Sequence, residues 1–179
     1  SLLMFSKEND GMYELLTFPT TLPISKPQHI ISGDAISVTF LSRTKFVTLD
    51  KNNSIYLRNL DNNVTKRITL PLPSCTTLFN GGSSGYLLIY NDSSLSLFDT
   101  SSQQVLGTLT IDGVKRVIWN ATSTYCAILT AFSIRIVDRT MKQVAVITEK
   151  MRVKDALWDE HGILLYSTLS QIKYMLISG

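Results

Sequence analysis

The sequence predicts an all-β protein of repeated four-stranded antiparallel sheets, and two landmarks with one shared period support this fold class. The first landmark is an aromatic residue ending the first strand of each repeat, at spacings of 39, 40 and 39 residues: Phe40, Phe79, Trp119 and Trp158. The second is a third-strand pattern of Ser, apolar, any, apolar, any, then Asn or Asp, which begins at Ser54, Ser94 and Ser133. Four short strands in about forty residues are the step of a WD-type β-propeller blade. We therefore expect a partial propeller of about four blades.

The first 34 residues precede the regular repeats. Residues 1–18 are expected to be the last two strands of a preceding blade, because apolar runs flank a polar turn that ends in Asp10-Gly11, a pair that favours positive φ. Residues 19–34 contain Pro19, Pro23 and Pro27. Proline fixes φ and lacks a backbone donor, so this segment is predicted to be a linker or a long loop.

Residues 35–179 are predicted to hold three full blades and most of a fourth. Period-2 alternation or short apolar runs mark each strand, and turns rich in Asn, Asp, Ser and Gly separate them. The expected strands cover residues 36–40, 45–49, 54–59, 65–70, 75–79, 86–90, 94–99, 104–111, 114–119, 125–130, 133–138, 143–147, 153–158, 163–168 and 171–177. The sequence stops before a fourth strand of the last blade.

Composition excludes several classes of protein. An apolar fraction of 44% with 17% charged residues is that of a globular chain and argues against disorder. A net charge of +3 without a concentrated basic face gives no case for nucleic-acid binding. Polar residues interrupt every apolar run before it reaches the length of a membrane-spanning helix. The chain begins with Ser1 and lacks a basic flank or cleavage site there, so we expect an excised piece without a readable targeting signal.

No catalytic, cofactor-binding or metal-ligating residue is predicted. His29 in the proline-rich segment and His161 in a turn have no Cys or Asp at ligand spacing. Cys75 and Cys126 lie 51 residues apart and are expected to be reduced, buried thiols, although a disulfide is geometrically open. The four Asn-x-Ser/Thr sequons begin at Asn52, Asn63, Asn91 and Asn120; they indicate glycosylation only in a secreted protein.

Two further patterns have a structural explanation. Asp99 and Asp138 occupy the same repeat position, which favours turn-capping hydrogen bonds over an acid/base pair. The glycines of residues 80–85 lead into an apolar strand, whereas a phosphate-binding loop leads into a helix. We expect a flexible hairpin there.

Basic residues cluster in small groups near predicted blade edges and inter-blade turns: Lys66 with Arg67, Lys115 with Arg116, Arg139 with Lys142, and Lys150 with Arg152 and Lys154. They could converge on one rim and contact an acidic peptide or anionic lipid. Solvated edges protected against aggregation are the simpler interpretation. The pairs alone do not decide, and no binding residue is assigned.

Short runs along most of the chain also carry a family resemblance. They include residues 3–5, 13–15, 46–50, 58–60, 64–66, 115–120 and 127–130, and above all 147–177, which contains the runs Met151 to Gly162 and Gln171 to Tyr174. In this order they resemble the alpha-subunit family of coatomer, the coat of COPI vesicles. Within that family the chain is similar to part of the second WD-type propeller and its associated region.

The resemblance implies a non-enzymatic scaffold of the COPI coat, in vesicle-mediated retrograde transport from the Golgi to the endoplasmic reticulum and within the Golgi. The implied partners are the other coatomer subunits. The implied location is the cytoplasm, with peripheral association with Golgi membranes and COPI-coated vesicles through the coat. The resemblance implies no cofactor, nucleic acid or small-molecule substrate. The family's recognition of dilysine signals belongs to the first propeller, so no cargo-binding residue is carried over.

Two other function classes remain open at this point. A peptide- or protein-binding propeller module of another trafficking protein, such as the beta-prime coatomer subunit, would need charged side chains converging at one end of the channel. A propeller hydrolase would need inward carboxylates or metal ligands. About four blades do not close a ring, so we also expect the isolated chain to be marginally stable, to self-associate or to pair its free strand edges.

Overall fold

A computed structural model of the chain describes residues 2–6, 11–19 and 26–177. Within these ranges the chain forms eighteen β-strands and no helix. Every sheet is an antiparallel meander, in which each strand pairs with the strand next in sequence. These described residues therefore include no helix long and apolar enough to cross a membrane. The prediction of an all-β fold with four-stranded antiparallel sheets is confirmed.

The chain divides into two compact units, residues 1–79 and 80–179. The first unit begins with a three-stranded sheet in the order β1-β2-β3, where β1 is Leu2–Ser6, β2 is Met12–Thr17 and β3 is His29–Asp34. Its second sheet has the order β4-β5-β6-β7, where β4 is Ser37–Phe40, β5 is Lys45–Leu49, β6 is Ser54–Asn59 and β7 is Val64–Thr69.

The strand β3 corrects two predictions. Residues 29–34 are not part of a linker, and the first sheet has three strands where two were expected, since β3 pairs with β2 along its whole length. Gly33 lies directly opposite Tyr13, and a Cβ atom on Gly33 would stand only 2.7 Å from the Cζ atom of the Tyr13 ring. The glycine is thus a strand residue that makes room for a ring, not a turn signal. Residues 7–10 and 20–25 of the predicted turn and linker lie outside the described residues.

The core of the first unit lies between its two sheets. Tyr13 and Leu15 of β2 pack with Ala35 and with Phe46 of β5 in one buried cluster. The rings of Tyr13 and Phe46 meet edge to face, with centroids 5.7 Å apart and planes at 64°. Aromatic pairs favour this geometry. The Tyr13 hydroxyl donates a hydrogen bond of 2.8 Å to Oδ1 of Asn62, so the buried ring also has a polar partner.

The second unit contains most of three further sheets, because the division between the units falls within β8. One has the order β11-β10-β9-β8, with β8 Thr77–Asn80, β9 Tyr86–Tyr90, β10 Ser94–Asp99 and β11 Gln104–Thr110. The next has the order β12-β13-β14-β15, with β12 Arg116–Trp119, β13 Tyr125–Leu129, β14 Ser133–Asp138 and β15 Gln143–Thr148. The last is the three-stranded β16-β17-β18, with β16 Asp155–Trp158, β17 Ile163–Ser167 and β18 Ile172–Leu176.

The third-strand pattern marks an irregularity that recurs in every four-stranded sheet. The register between third and fourth strands shifts directly after Leu57, Leu97 and Ile136. Each of these residues lies three positions after the serine that opens the pattern. A β-bulge increases the local twist of a strand pair. The shared position shows that the sequence repeat is also a repeat of backbone geometry.

Candidate interaction surfaces

The two histidines occupy exposed positions in different parts of the chain. His29 is the exposed first residue of β3, not a loop residue as predicted. His161 lies in the turn after β16, as expected, where Oδ1 of Asp159 accepts hydrogen bonds from the backbone N–H groups of His161 and Ile163. A cavity of about 220 Å³ beside this turn is lined by Asp159, Glu160 and His161, among others. Among the described residues no group of His, Cys, Asp and Glu side chains could hold a metal ion.

The repeated aspartates stabilise turns. Oδ1 of Asp99 accepts hydrogen bonds from the backbone and hydroxyl of Ser101 at 2.8 and 2.6 Å. Oδ1 of Asp138 accepts the same pair of bonds from Thr140, also at 2.8 and 2.6 Å. The hydroxyl bond is the main reason that the pKa of each carboxyl lies below its usual value. The predicted turn-capping bonds are therefore present.

Both cysteines are free, buried thiols. Burial raises the pKa of Cys75 to about 11 and that of Cys126 to about 12. Because the thiolate is the reactive form of cysteine, neither residue has the electrostatic surroundings of a nucleophile at neutral pH. The structure fits the prediction of two buried thiols.

The glycine-containing loop of residues 80–85 is packed against the following sheet. The carbonyl oxygen of Asn80 accepts a hydrogen bond of 2.8 Å from the indole N–H of Trp119. A Cβ atom on Gly82, whose φ is +84°, would lie 2.5 Å from the Trp119 ring. The carbonyl of Gly82 accepts a further bond from the Ser123 hydroxyl. These contacts hold the loop, which was expected to be flexible, and its glycines allow close approach of an indole.

Arg139 completes this packing. Its guanidinium carbon lies 4.8 Å from the ring centroid of Tyr86 and 5.3 Å from that of Trp119. Its Nη1 donates hydrogen bonds to the carbonyl oxygens of Ser123 and Gly81, at 3.2 and 3.5 Å. A guanidinium between two rings gains cation–π attraction as well as hydrogen bonds. This arginine therefore fixes one sheet on the next, and it is not an exposed member of a basic pair.

Other predicted basic residues also have intramolecular partners. Arg116 of β12 forms an ion pair with Asp155 of β16. Arg67 lies 5.5 Å from the ring centroid of Tyr56, within its own sheet. By contrast, Lys150, Arg152 and Lys154 are exposed in the link between β15 and β16. The basic residues thus differ in whether they have an intramolecular partner, and two of these partners, those of Arg139 and Arg116, lie in a neighbouring sheet.

One face of the sheet β16–β18 is apolar and exposed. Leu157 lies opposite Leu165, which in turn lies opposite Tyr174. Leu157 is 55% exposed, Tyr174 is 69% exposed and Ile172 is 81% exposed. A shallow cavity of about 170 Å³, lined in part by Leu157, Leu165 and Ile172, opens on this face. Exposed apolar side chains that lie next to one another mark an interaction surface.

The equivalent face of the preceding sheet is covered. Ile118 precedes Trp119 as Leu157 precedes Trp158, and the cross-strand partners that follow it are Ala127 and Ile136, which therefore correspond to Leu165 and Tyr174. Both Ala127 and Ile136 are fully buried. They belong to one cluster with Val153 of the link before β16 and with three residues on the other face of the last sheet, Ala156, Leu164 and Tyr166. The same repeat positions are therefore largely buried in one sheet and largely exposed in the next.

A family model and individual relatives assign the chain to the same family. Residues 2–179 match the family described as the COPA/B second beta-propeller. Coatomer subunit alpha of Dictyostelium discoideum is 30% identical over the whole chain, and coatomer subunit alpha-1 of Arabidopsis thaliana is 31% identical over the whole chain. The chain spans 14% of the first relative and 15% of the second.

A solved structure supports the fold alone. The chain superposes on hydrazine synthase of Kuenenia stuttgartiensis with a TM-score of 0.59 and 12% sequence identity. The match covers 79% of this chain and 45% of that one. At this identity the likeness concerns the arrangement of strands and says nothing about activity.

Proposed function

The chain belongs to the family of the second β-propeller of the COPA/B coatomer subunits, and from this premise we propose that it is a structural scaffold segment of the COPI coat. Its role is in vesicle-mediated retrograde transport from the Golgi to the endoplasmic reticulum and within the Golgi. The relatives matched along the whole chain are alpha subunits, which favours that subunit over beta-prime. Because the chain spans about one seventh of these relatives, the role is that of a segment.

The observation that carries this proposal is the exposed apolar face of β16–β18. Leu157 and Tyr174 are more than half exposed, whereas the equivalent positions one repeat earlier are covered by another sheet. A surface of this kind binds another packed β-sheet better than it binds a small polar ligand, because its contacts are apolar and broad. We propose that another sheet of the coat covers it.

The remaining parts of the proposal follow from the same family membership. The partners are the other coatomer subunits, and the location is the cytoplasm, with peripheral attachment to Golgi membranes and COPI-coated vesicles through the coat. The proposed role is not enzymatic. Asp99 and Asp138 serve turns, and the thiols of Cys75 and Cys126 have raised pKa values, which supports structural roles for these four residues.

A binding experiment tests the proposal. The immobilised chain is offered purified coatomer subunits and, separately, peptides ending in a dilysine signal. We expect capture of at least one coat subunit and no capture of the peptides. Peptide capture without subunit capture would instead make this a cargo-reading module, and failure to capture any subunit would contradict the scaffold role.

A matched pair of variants directs this test to the exposed face. The double variant Ile172→Ser with Tyr174→Ser removes apolar contacts from β18, while Val144→Ser with Val146→Ser removes exposed apolar groups from the outer strand β15. Subunit capture should fall for the β18 variant and persist for the β15 variant. Equal capture by both variants would show that the β18 face is not the interface.

A further inference from the structure

A second surface in the same unit combines exposed apolar and cationic side chains. It consists of Phe132 in the turn between β13 and β14, four residues of the link between β15 and β16, and Leu169 in the turn between β17 and β18. The four link residues are Lys150, Met151, Arg152 and Lys154. We name these six residues the loop patch. It shares no residue with the apolar face of β16–β18, which is formed by Leu157, Leu165, Ile172 and Tyr174.

Hydrogen bonds join the parts of the loop patch into one continuous surface. The backbone N–H of Glu149 donates to the carbonyl oxygen of Phe132 at 2.8 Å, and that of Val153 donates to Ala131 at 2.9 Å. The hydroxyl of Ser170 lies 3.2 Å from the sulfur of Met151 and donates to it. The link is therefore tied to both turns. A surface held in this way loses little conformational entropy when it binds a partner.

The acidic side chains beside the loop patch are already neutralised. The carboxylate of Glu149 accepts two bonds of 2.9 Å from Nζ of Lys173 and one of 2.7 Å from the Tyr166 hydroxyl. Asp155 forms an ion pair with Arg116. No ion pair or side-chain hydrogen bond of the three loop-patch cations occurs within the described ranges. The preceding link carries Asp112 and Lys115, whose charges balance. The loop patch is thus a local excess of positive charge.

We propose that the loop patch binds an acidic protein segment that also carries apolar side chains. Carboxylates of the segment would meet Lys150, Arg152 and Lys154, and its apolar groups would cover the loop-patch apolar side chains. Met, Arg and aromatic residues are enriched in protein interfaces, and complementary charge directs such encounters.

The extent of exposure favours a protein segment over a membrane surface. Phe132, Met151 and Leu169 are 50%, 42% and 66% exposed. The protein itself covers about half of Phe132, more than half of Met151 and one third of Leu169, so these residues are partly packed and do not form a free wedge for insertion between lipid headgroups. Stable attachment to a membrane needs a second signal beside a few cations. The partly covered, fixed arrangement suits a complementary protein surface.

The test measures binding of a short fluorescent peptide of alternating Glu and Leu to the full chain at low salt. A peptide with Gln in place of Glu tests the role of charge, and vesicles containing phosphatidylserine test the membrane. We expect the Glu peptide to bind, the Gln peptide to bind at least about tenfold more weakly, and added salt to weaken binding. Binding of the vesicles without binding of the Glu peptide would overturn the proposal.

A charge-matched pair of variants locates the binding. One reverses the loop patch, with Lys150→Glu, Arg152→Glu and Lys154→Glu. The other reverses three exposed cations outside the loop patch, with Arg43→Glu, Lys45→Glu and Lys142→Glu. Arg43 and Lys45 lie at the turn between β4 and β5, and Lys142 lies in the turn between β14 and β15. The first should lose peptide binding by about tenfold or more, and the second should retain it. Equal affinities would overturn the proposal, while circular dichroism checks that both variants fold. Since this assay uses no coat subunit, its failure leaves the scaffold role unaffected.

Discussion

Trp158 donates its indole N–H to the carbonyl oxygen of Ile118 at 2.9 Å, and so ties the first strand of the last sheet to the first strand of the sheet before it. Trp119 makes the corresponding bond, 2.8 Å long, to Asn80. The aromatic landmark that reveals the repeat in the sequence is therefore the residue that joins consecutive sheets in the second unit.

We expect Trp158→Phe to lower the free energy of unfolding by more than about 1 kcal/mol, the usual value of one hydrogen bond, because the smaller ring also loses contacts with the buried cluster that Trp158 packs against. A phenyl ring fits the position, since Phe40 and Phe79 hold it in earlier repeats. Urea denaturation measures the change. Tyr174→Phe, which alters a ring that is 69% exposed, is the control and should change stability little. No loss in Trp158→Phe would show that the bond adds nothing to stability.

Arg139→Lys should destabilise the chain by about 1–2 kcal/mol although it keeps the charge, because it weakens cation–π contacts and hydrogen bonds. A lysine cannot stack its head group flat between the rings of Tyr86 and Trp119 while also reaching two carbonyl oxygens. Thermal unfolding followed by circular dichroism measures the effect. Lys142→Ala, at an exposed position in the same turn, should stay within about 0.5 kcal/mol of the parent. Equal effects of the two substitutions would contradict the packing role.

Gly107→Ala should cost more stability than Gly113→Ala. A Cβ atom on Gly107 of β11 would overlap the carbonyl oxygen of Thr140 in the next sheet, whereas a Cβ atom on Gly113 meets no atom within 4 Å. Gly113 has a φ of +64°, so its substitution carries only the backbone strain of about 1 kcal/mol. Overpacking at Gly107 should cost about 1–3 kcal/mol. Urea midpoints of the two variants compare these effects, and the reverse order would contradict the prediction.

The stability of the chain should depend on pH through Glu149 and Tyr166. The hydrogen bond from the Tyr166 hydroxyl, and then the Lys173 ammonium, hold the pKa of Glu149 below its ordinary value of 4.5. The stability from Glu149 is therefore present above pH 4.5 and is lost as the pH falls through the lowered pKa. Burial, with the bond to Glu149, raises the pKa of Tyr166 from 10.0 to about 12, so its contribution is present below pH 10 and is lost as the pH rises through 12.

The measurement is the free energy of unfolding of the parent and of Glu149→Gln, followed from neutral pH down into the acid range in which Glu149 becomes protonated. The variant should show a shallower loss of stability in acid, with the remaining slope due to carboxyls such as Asp99 and Asp138, whose pKa values are also lowered. Parallel acid profiles of parent and variant would contradict the assignment to Glu149.

Thiol reagents should modify Cys75 and Cys126 only after unfolding. Both are buried, with pKa values raised to about 11 and 12, so the reactive thiolate is scarce at pH 8. Reaction with a chromogenic disulfide reagent should be slow in buffer and rapid in denaturant. Fast labelling of Cys126 in the native chain would show that this strand opens readily.

The sequence was informative wherever a signal repeats. The spacing of the aromatic residues from Phe40 to Trp158 and the third strands that begin with Ser predicted the four-stranded sheets. Strands and turns can be predicted in this way because apolar–polar alternation and turn residues are local patterns in the sequence. The strand β3 was missed because Pro27 and Gly33 are read as loop signals. Only the contact of Gly33 with the Tyr13 ring explains a glycine there.

The interaction surfaces were harder to predict. Arg139 and Tyr86 are separated by 53 positions in the chain, and their stacking depends on how two sheets pack. The same is true of the exposed face at Tyr174, which has the alternation of a buried strand. In both cases the alternation of apolar and polar residues reflects the sheet to which the strand belongs. Whether a side chain is exposed, and which side chain it contacts, depends on the sheet packed next to it.

The meander connection of every sheet has a consequence for the order of folding. Strands that share hydrogen bonds are consecutive in sequence, so each hairpin closes a short loop at small entropic cost. The hydrogen bonds of the Trp119 and Trp158 indoles join residues 39 and 40 positions apart. They stabilise the chain only after the two sheets that they connect have formed. We therefore expect the hairpins to be formed in the transition state for folding and the indole hydrogen bonds to form after it. Weakening an indole bond would then speed unfolding while leaving the folding rate nearly unchanged.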